Sequence, residues 1–392
     1  MATASPNPDQ PVDANPPGAG LSEDELPAWL QLVFCDGLGA AAIRQLLAAF
    51  GSPASVLAAS ASAWRSVAGG RAATALSKPS PAHGAERLSA TLQWLRGGPH
   101  RYVLSLGCPA YPASLLNTAD PPTLLFAEGR LALLNQPSLA IVGSRHATPQ
   151  GVDNAAAFAK HLSEAGWCVV SGLALGIDGA AHRGGLQGRG GTIAVVGTGL
   201  DIHYPKRHDA LAREIAATGL MLSEFAPGTP PLRDHFPRRN RIIAGLTRGT
   251  LVVEAAMASG SLITARLASE CGREVFAIPG SIHAPQAKGC HWLIKNGAKL
   301  VETAQDILEE LRAEPGPAAA TGVVDAGNPP PAESLLEDPL LSAMGHDPVS
   351  LDALEARTGW PLAQLQAQLL TLELDGHVQR LPGGLMQRRT AA

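Results

Sequence analysis

The middle of the chain alternates between short, almost continuously apolar runs and amphipathic stretches, and this alternation constrains the fold more than any other feature. Such runs, separated by helical stretches, are typical of parallel strands buried on both faces. We therefore predict an α/β domain with a Rossmann-like, doubly wound, mostly parallel sheet, which binds ligands at the carboxyl ends of its strands. The predicted strands are 138–142, 169–171, 192–196, 220–223, 250–253 and 275–278, separated by helices that include 151–165, 209–217 and 261–270.

The rest of the 392 residues divides around this core into segments of different composition. Residues 1–20, rich in Pro, Asn and Asp, predict a disordered tail. Residues 21–108 predict a helical domain of the SAM or helix-hairpin-helix type, which precedes the Rossmann-like core over 109–312. The Pro-, Ala-, Gly- and Glu-rich stretch 313–339 predicts a linker. Residues 340–392 predict a small C-terminal winged-helix domain of three helices and a strand-turn-strand.

Both flanking domains contain a segment whose role the sequence leaves open. The run Cys35-Asp-Gly-Leu-Gly39 before 40–50 is typical of a helix-hairpin-helix, whose turn amides can hold a nucleic-acid phosphate. Basic residues are scarce beside the turn, which favours a hairpin that only packs. The recognition segment of the winged helix, 361–374, contains no Lys or Arg. It is compatible with DNA contact by the wing, with a protein contact and with a structural role.

Charge and cysteine content narrow the class of protein. Residues 31–301 carry 25 basic and 15 acidic side chains, so the net charge of −4 conceals a basic body compatible with a polyanion partner. The five cysteines are far apart and form no CxxC pair, which argues against a disulfide framework and a zinc site and predicts a cytoplasmic location. No membrane span, secretory signal, metal or cofactor is predicted.

The first predicted strand ends in a loop suited to binding an anion. Gly143, Ser144 and Arg145 follow this strand, and Thr148 and Pro149 then suit the N-cap and the first position of a helix. Free backbone amides, the helix dipole and a forked guanidinium would all face one point. We interpret this loop as a phosphate site, with an ordinary strand-to-helix turn as the alternative.

Two further strands end in loops of the same character. Ser171 and Gly172 close the second strand, where we expect Asp178 to brace the loop and His182 to be a packed histidine rather than a base. On the loop after the third strand, Lys206 is a predicted phosphate contact. No loop has a complete G-x-G-x-x-G or a P-loop pattern, so a nicotinamide cofactor and ATPase activity are weakly supported.

The densest cluster of positive charge follows the fourth strand. Residues 233–248 contain five arginines and one acid, at the start of a predicted helix on the ligand side of the sheet. The side chains predicted to contact phosphate here are Arg238, Arg239, Asn240 and Arg241, and those that could stack on bases are Tyr204, His235 and Phe236. The alternatives are a solvated face and internal pairing of some arginines with Asp234 or Glu254.

Glu254 ends the fifth strand close in sequence to Ser261 and Thr264. A general base is one interpretation of this carboxylate. A buried brace that accepts hydrogen bonds from loop amides or an Arg is slightly favoured.

Six motifs in this order resemble the DprA/Smf family, the DNA-processing proteins of bacterial natural transformation. The matching stretches are IVGSR (141–145), SGLALGIDGAAH (171–182), GTGLDIHYP (197–205), FPRRNRIIAGL (236–246), VVEAAMASGSLITA (252–265) and VFAIPG (275–280). The resemblance covers about 109–304 and implies the same three-part architecture, with a helical N-terminal domain and often a winged helix.

The resemblance also implies a function. Members bind single-stranded DNA, load the RecA recombinase onto it, help displace single-strand-binding protein and self-associate as homodimers, and no catalytic reaction is established for them. It implies DNA contacts by Arg145 and Lys206 and phosphate-cradling turns at Gly143, Ser144, Ser171 and Gly172. We therefore expect a non-enzymatic recombination mediator that protects incoming DNA and binds its phosphate backbone through a basic rim of the core.

Two other functions remain as alternatives. Gly249-Thr250 followed by Glu254 distantly resembles an element of Rossmann-like phosphoribohydrolases, so the chain could be a nucleotide-hydrolysing enzyme with Glu254 in the reaction. The Gly-Gly that precedes this element in those enzymes is absent here. In the other alternative the core is a scaffold and the winged helix binds the DNA.

Overall fold

The computed structural model describes residues 20–78, 82–312, 338–345, 348–381 and 384–388. The predicted tail (1–20) and linker (313–339) therefore lie almost entirely outside the described residues.

The chain builds a nine-stranded sheet in the order β1-β2-β6-β5-β4-β3-β7-β8-β9 and a separate pair β10-β11. The strands are β1 (Arg101–Ser105), β2 (Leu124–Gly129), β3 (Ser138–Val142), β4 (Cys168–Ser171), β5 (Thr192–Val196), β6 (Leu220–Ser223), β7 (Gly249–Val252), β8 (Glu274–Ala277), β9 (Lys299–Leu300), β10 (Val378–Arg380) and β11 (Met386–Arg388).

Strands β3 to β9 are parallel, and helices cover both faces of the sheet, which confirms the doubly wound, Rossmann-like α/β fold. The helices of this core are α6 (Ala113–Leu116), α7 (Pro149–Glu164), α8 (Ile177–Gly185), α9 (Asp209–Thr218), α10 (His235–Leu246), α11 (Gly260–Glu270), α12 (Lys288–Lys295) and α13 (Ala304–Arg312). Among the described residues, no helix is both long and apolar enough to cross a membrane.

The sheet begins earlier in the chain than the predicted boundary at residue 108. β1 pairs antiparallel with β2, and β2 pairs antiparallel with β6, so the parallel sheet has an antiparallel extension at one edge. β1 consists of residues that the sequence analysis assigned to the helical domain. The helical part therefore ends with the helix before β1, and the sheet starts at Arg101.

The strand order reverses direction between β3 and β7. From β3 the chain moves outward through β4, β5 and β6, and it then returns to the other side of β3 to form β7 and β8. The carboxyl ends of β3 and β7 are therefore the switch point, where open α/β sheets bind their ligands. Both strands are fully buried, as their apolar sequences require.

Two small domains flank the sheet. The N-terminal helices are α1 (Leu26–Val33), α2 (Ala40–Phe50), α3 (Pro53–Ala58), α4 (Ala61–Leu76) and α5 (Ala82–Arg96), and α1 and α2 form the predicted hairpin. The C-terminal part consists of α14 (Pro339–Met344), α15 (Leu351–Thr358), α16 (Leu362–Leu374) and the β10–β11 wing, which confirms the winged helix. Ser350 caps α15, because its side chain accepts a hydrogen bond from the Ala353 amide.

Candidate nucleic-acid interface

At the switch point, the N-terminus of α7 already holds a carboxylate of the chain itself. Thr148 is the N-cap, and its Oγ1 accepts a hydrogen bond from the Gly151 amide at 3.0 Å. Glu254 Oε2 accepts from the Thr148 amide at 2.9 Å, and Glu254 Oε1 accepts from the Thr148 hydroxyl. Glu254 therefore acts as the brace, and its charge lies where the helix dipole favours an anion.

Gly151 and Gly143, at the switch point, lie so close to neighbouring atoms that no larger residue fits in their place. A Cβ on Gly151 would lie 2.4 Å from Glu254 Cδ, so only glycine leaves room for the carboxylate. A Cβ on Gly143 would lie 2.6 Å from Ile177 Cγ1 and 2.9 Å from the Glu254 carbonyl oxygen. Gly143 was predicted as a phosphate-cradling residue, and the structure gives it a close-packing role in the 143–148 loop. The Ser144 amide donates to the Glu254 carbonyl at 2.8 Å, which ties the ends of β3 and β7 together.

The loop after β4 is braced by a buried ion pair. Asp178 Oδ2 accepts hydrogen bonds from the amides of Gly172 at 3.1 Å and Ala174 at 3.2 Å, as the sequence analysis expected of this residue. Ser171 is buried, and its Oγ donates to the Ile141 carbonyl at 2.6 Å. Burial raises the pKa of Asp178, whereas the charge of Arg239 and the two amides oppose that shift.

Arg239 lies beneath the loops rather than on an open surface. The residue is only 5% exposed, its Nη1 donates to the Val195 carbonyl at 2.7 Å, and its Nη2 lies 3.9 Å from Asp178 Oδ2. A Cβ on Gly172 would fall 1.5 Å from Arg239 Nη1, so Gly172 makes room for the guanidinium. Burial lowers the pKa of Arg239 to about 10, partly offset by Asp178, so the side chain stays charged near neutral pH. Its Nε has no hydrogen-bond partner among the described residues.

His182 is the packed histidine that the sequence analysis expected. It is fully buried in α8, where its Nε2 accepts a hydrogen bond from the Leu173 amide at 3.3 Å. Thr192 Oγ1 donates to the Val169 carbonyl, so it must accept from His182 Nδ1, at 2.7 Å. This assigns the neutral tautomer with hydrogen on Nδ1. Burial lowers the pKa of His182 to about 3, which keeps the ring neutral.

Above these buried braces, the exposed side chains of Arg145 and Tyr204 meet the half-buried ring of Phe236 at the carboxyl edge of the sheet. The Arg145 guanidinium lies over the Phe236 ring, with Cζ 5.7 Å from the ring centroid. The Tyr204 ring packs against the same Phe236 ring, with 5.6 Å between the two ring centroids. We call Arg145, Phe236 and Tyr204 the stacking strip. Arg145 and Lys206 are exposed, and Tyr204 is 46% exposed.

The remaining predicted residues of α10 divide into exposed and internally paired side chains. Arg238 is exposed, lies over the Phe225 ring and is 3.4 Å from Glu224 Oε2. Arg241 pairs with Glu224 and donates to the Asp120 carbonyl, so it connects α10 to the loop before β2. Asn240 Nδ2 lies 3.5 Å from the Gly260 carbonyl.

Internal pairing, which the sequence analysis left open for some of the arginines, therefore holds for three of them through unexpected partners. Arg239 pairs with Asp178, whereas Arg238 and Arg241 both pair with Glu224. Glu224 and Asp120 were missed, and so was Phe225, which stacks on His235 with 3.9 Å between the ring centroids. A possible signal was the position of Glu224 directly after the fourth predicted strand, one residue before an aromatic.

Comparison with known sequences assigns the chain to a protein family. The profile of the DNA recombination-mediator protein A family matches residues 102–312, which is more than half of the chain. The chain belongs to the DNA recombination-mediator protein A, or DprA/Smf, family. A profile for the DprA winged-helix domain matches residues 324–384.

Individual members of the DprA/Smf family are similar over much of the chain. Protein Smf of Escherichia coli K12 is 42% identical over 311 residues, which are 78% of this chain and 82% of that protein. DNA processing protein DprA of Streptococcus pneumoniae is 54% identical over 201 residues, 51% of this chain and 71% of that protein. The X-ray structure of the pneumococcal protein superimposes with a TM-score of 0.64 at 40% identity, covering 74% of this chain and 98% of that one.

Proposed function

We propose that this DprA/Smf protein is a non-enzymatic, single-stranded-DNA-binding recombination mediator, and that its core binds the phosphate backbone at the carboxyl edge of the sheet. The observation that carries the proposal is the meeting of Arg145, Phe236 and Tyr204 at that edge, with Lys206 exposed on the same loop as Tyr204. Cations that contact phosphates and rings that accept unstacked bases are the two parts that single-strand binding without sequence preference requires.

The ten residues expected to bind DNA take different parts in this proposal. Those that we propose to contact the strand directly are exposed and cationic: Arg145, Lys206 and Arg238. Those that we propose to shape and hold the loops are enclosed or bonded within the fold: Gly143, Ser144, Ser171, Gly172, Arg239, Asn240 and Arg241. The partly unsatisfied guanidinium of Arg239 adds positive potential beneath the loops.

The environment of Glu254 favours binding over nucleotide hydrolysis. A nucleotide phosphate at the switch point would have to displace the Glu254 carboxylate from the Thr148 amide and hydroxyl at the start of α7. Two anions at one helix N-terminus repel each other. The residue that would act as the base in the hydrolase alternative is therefore engaged as a structural brace.

Membership of the family supports the cellular part of the proposal. We propose that the protein loads RecA onto incoming single-stranded DNA during natural transformation, assists displacement of single-strand-binding protein and acts as a homodimer in the cytoplasm. The description of the family as recombination mediators supports this role.

The test is the salt dependence of single-strand binding in two variants and a matched control. Arg145→Ala and Lys206→Ala should each weaken binding of a labelled oligonucleotide and reduce the slope of log K against log salt by about 0.7 per lost phosphate contact. Arg189→Ala removes another exposed arginine, from the loop before β5 at the opposite edge of the sheet, and should leave both quantities unchanged. Wild-type slopes in both site variants would contradict the proposed interface.

A further inference from the structure

One arginine of the winged-helix domain reaches across to the core. The Nη2 of Arg357, at the end of α15, donates to Gln150 Oε1 and to Asp153 Oδ2, each at 3.0 Å. The Nη1 of the same guanidinium donates to the Ala343 carbonyl in its own domain at 3.3 Å. The Arg357 side chain is 12% exposed, whereas that of Asp153 is 60% exposed. The forked cation therefore holds the winged helix against the first turns of α7.

This contact is polar, and the apolar cores of the two domains are separate. The hydrophobic cluster of the winged helix is built from residues of that domain, with Leu354, Leu365 and Met386 among its buried members. A charge-assisted contact with a largely exposed carboxylate is weakened by salt and is open to competition from other anions. Docking through Arg357 is therefore a contact that can be released without unfolding either domain.

The docking position is next to the proposed DNA interface. Gln150 and Asp153 belong to the start of α7, and the loop that leads into this helix carries Arg145. Docking brings α15 to this place, and α15 exposes the carboxylates of Asp352 and Glu355. Acidic groups near a phosphate-binding loop repel DNA within a Debye length, which is about 8 Å at physiological ionic strength. The helix that would read DNA in such a domain, α16, has no Lys or Arg to compensate.

We propose that Arg357 is a releasable latch, and that the docked winged-helix domain lowers the affinity of the Arg145 loop for single-stranded DNA. This regulation presupposes the DNA-binding function proposed above. Only molecules in which the Arg357 contact is broken bind DNA at full strength. The apparent affinity is therefore reduced in proportion to the fraction of molecules in this open state. By linkage, bound DNA favours the undocked arrangement in turn.

Two variants of the full-length protein test the latch because they change the charge in opposite directions. Arg357→Ala makes the winged helix more acidic, whereas Asp153→Asn makes the core more basic, yet both remove the ion pair between the two domains. Both should speed hydrogen–deuterium exchange in peptides spanning 148–156 and 351–359 and tighten single-strand binding by about three- to ten-fold. Arg380→Ala removes an exposed arginine of the same domain and should change neither measurement.

Hydrogen–deuterium exchange and DNA affinity, taken together, show which part of the proposal fails if an expected result is not obtained. Unchanged exchange in both variants would show that Arg357 does not hold the domains together. Faster exchange with unchanged or weaker DNA binding would overturn the regulatory role, and weaker binding in Arg357→Ala alone would point to a plain charge effect. If the wild-type protein does not bind single-stranded DNA, the proposed function fails with the regulation, whereas the exchange data still report whether the latch exists.

Discussion

The packing at the switch point depends on two single residues, Glu254 and Gly151. Gly151 belongs to the first turn of α7, and the space that its missing Cβ leaves is taken by Glu254. In a Rossmann-like fold this position commonly receives a ligand phosphate. Here the chain supplies the anion itself, which leaves the exposed edge beyond it for a different ligand.

Gly151→Ala should destabilise the core. The added Cβ would overlap the Glu254 carboxylate, and overpacking of this kind costs about 1–3 kcal/mol of the free energy of unfolding. Gly260→Ala is the matched control, because Gly260 also lies in the first turn of a helix but has no atom within 4 Å of the added Cβ. This control should be neutral or stabilising by up to about 1 kcal/mol. Equal free energies of unfolding for the two variants, measured in urea, would contradict the brace.

His182 should make stability depend on pH in the acidic range. Its pKa falls from 6.5 in the unfolded chain to about 3 in the folded protein, because the buried ring stays neutral. The unfolded state therefore binds the extra proton first, so this stability is complete above pH 6.5 and is lost as the pH falls towards 3. Between pH 7 and pH 5 the loss is about 2 kcal/mol.

The measurement compares wild type with His182→Gln at pH 7 and pH 5. The free energy of unfolding of wild type should fall by about 2 kcal/mol more than that of the variant over this interval. An identical fall in the two proteins would show that another group carries the acid dependence.

The role of a single residue could be predicted from the sequence where that role depends on neighbours in the chain. It could not be predicted where the role depends on a partner that is distant in the sequence. Thr148 and Pro149 were recognisable as the start of α7, because capping depends on neighbours three residues away. The burial of Arg239 was not foreseeable from a charge-rich run, since its partner Asp178 lies 61 residues earlier in the chain. The pairing of Arg241 with Glu224 was likewise a product of the tertiary fold.

At the scale of elements, the parallel strands β3 to β8 were predicted to within about one residue because both of their faces are buried and their sequences are largely apolar. β1, β2 and β9 were missed. β1 contains Arg101 and Tyr102, β9 has only two residues, and both lie at the edges of the sheet, where burial imposes less pattern. The pairing of β2 with β6 joins residues almost a hundred positions apart, such as Phe126 and Ser223, which no local pattern records.

The loop after β5 and the start of α10 act together, because Tyr204 and Phe236 pack on each other across them. Phe236→Leu keeps an apolar side chain but removes the aromatic face, so single-strand affinity should fall by the equivalent of about 1–3 kcal/mol. The slope of log K against log salt should not change, because no phosphate contact is lost.

The control for this substitution is Phe158→Leu in α7, which makes the same change at a partly buried ring that packs against the core. It should leave the affinity near that of wild type. An unchanged affinity in Phe236→Leu, or a reduced salt slope, would contradict a stacking role.

At the scale of the whole molecule, charge is divided between domains. The body from 31 to 301 is basic, whereas 302–356 is strongly acidic and carries only one arginine. The basic body and the stacking strip at the carboxyl edge suit a polyanion, and the acidic segment includes α14 and most of α15 of the winged domain that Arg357 docks on the core. This division was readable from the sequence, whereas the docking contact required the structure.

The central claim is that the core binds single-stranded DNA through its phosphates and bases. The most direct test is a fluorescence-anisotropy titration of a labelled single-stranded oligonucleotide with the full-length protein at several salt concentrations, with unlabelled duplex as competitor. The account predicts tight binding, weak competition by the duplex and a log–log salt slope of several ion equivalents. No binding at low salt, or equal competition by duplex and single strand, would contradict it.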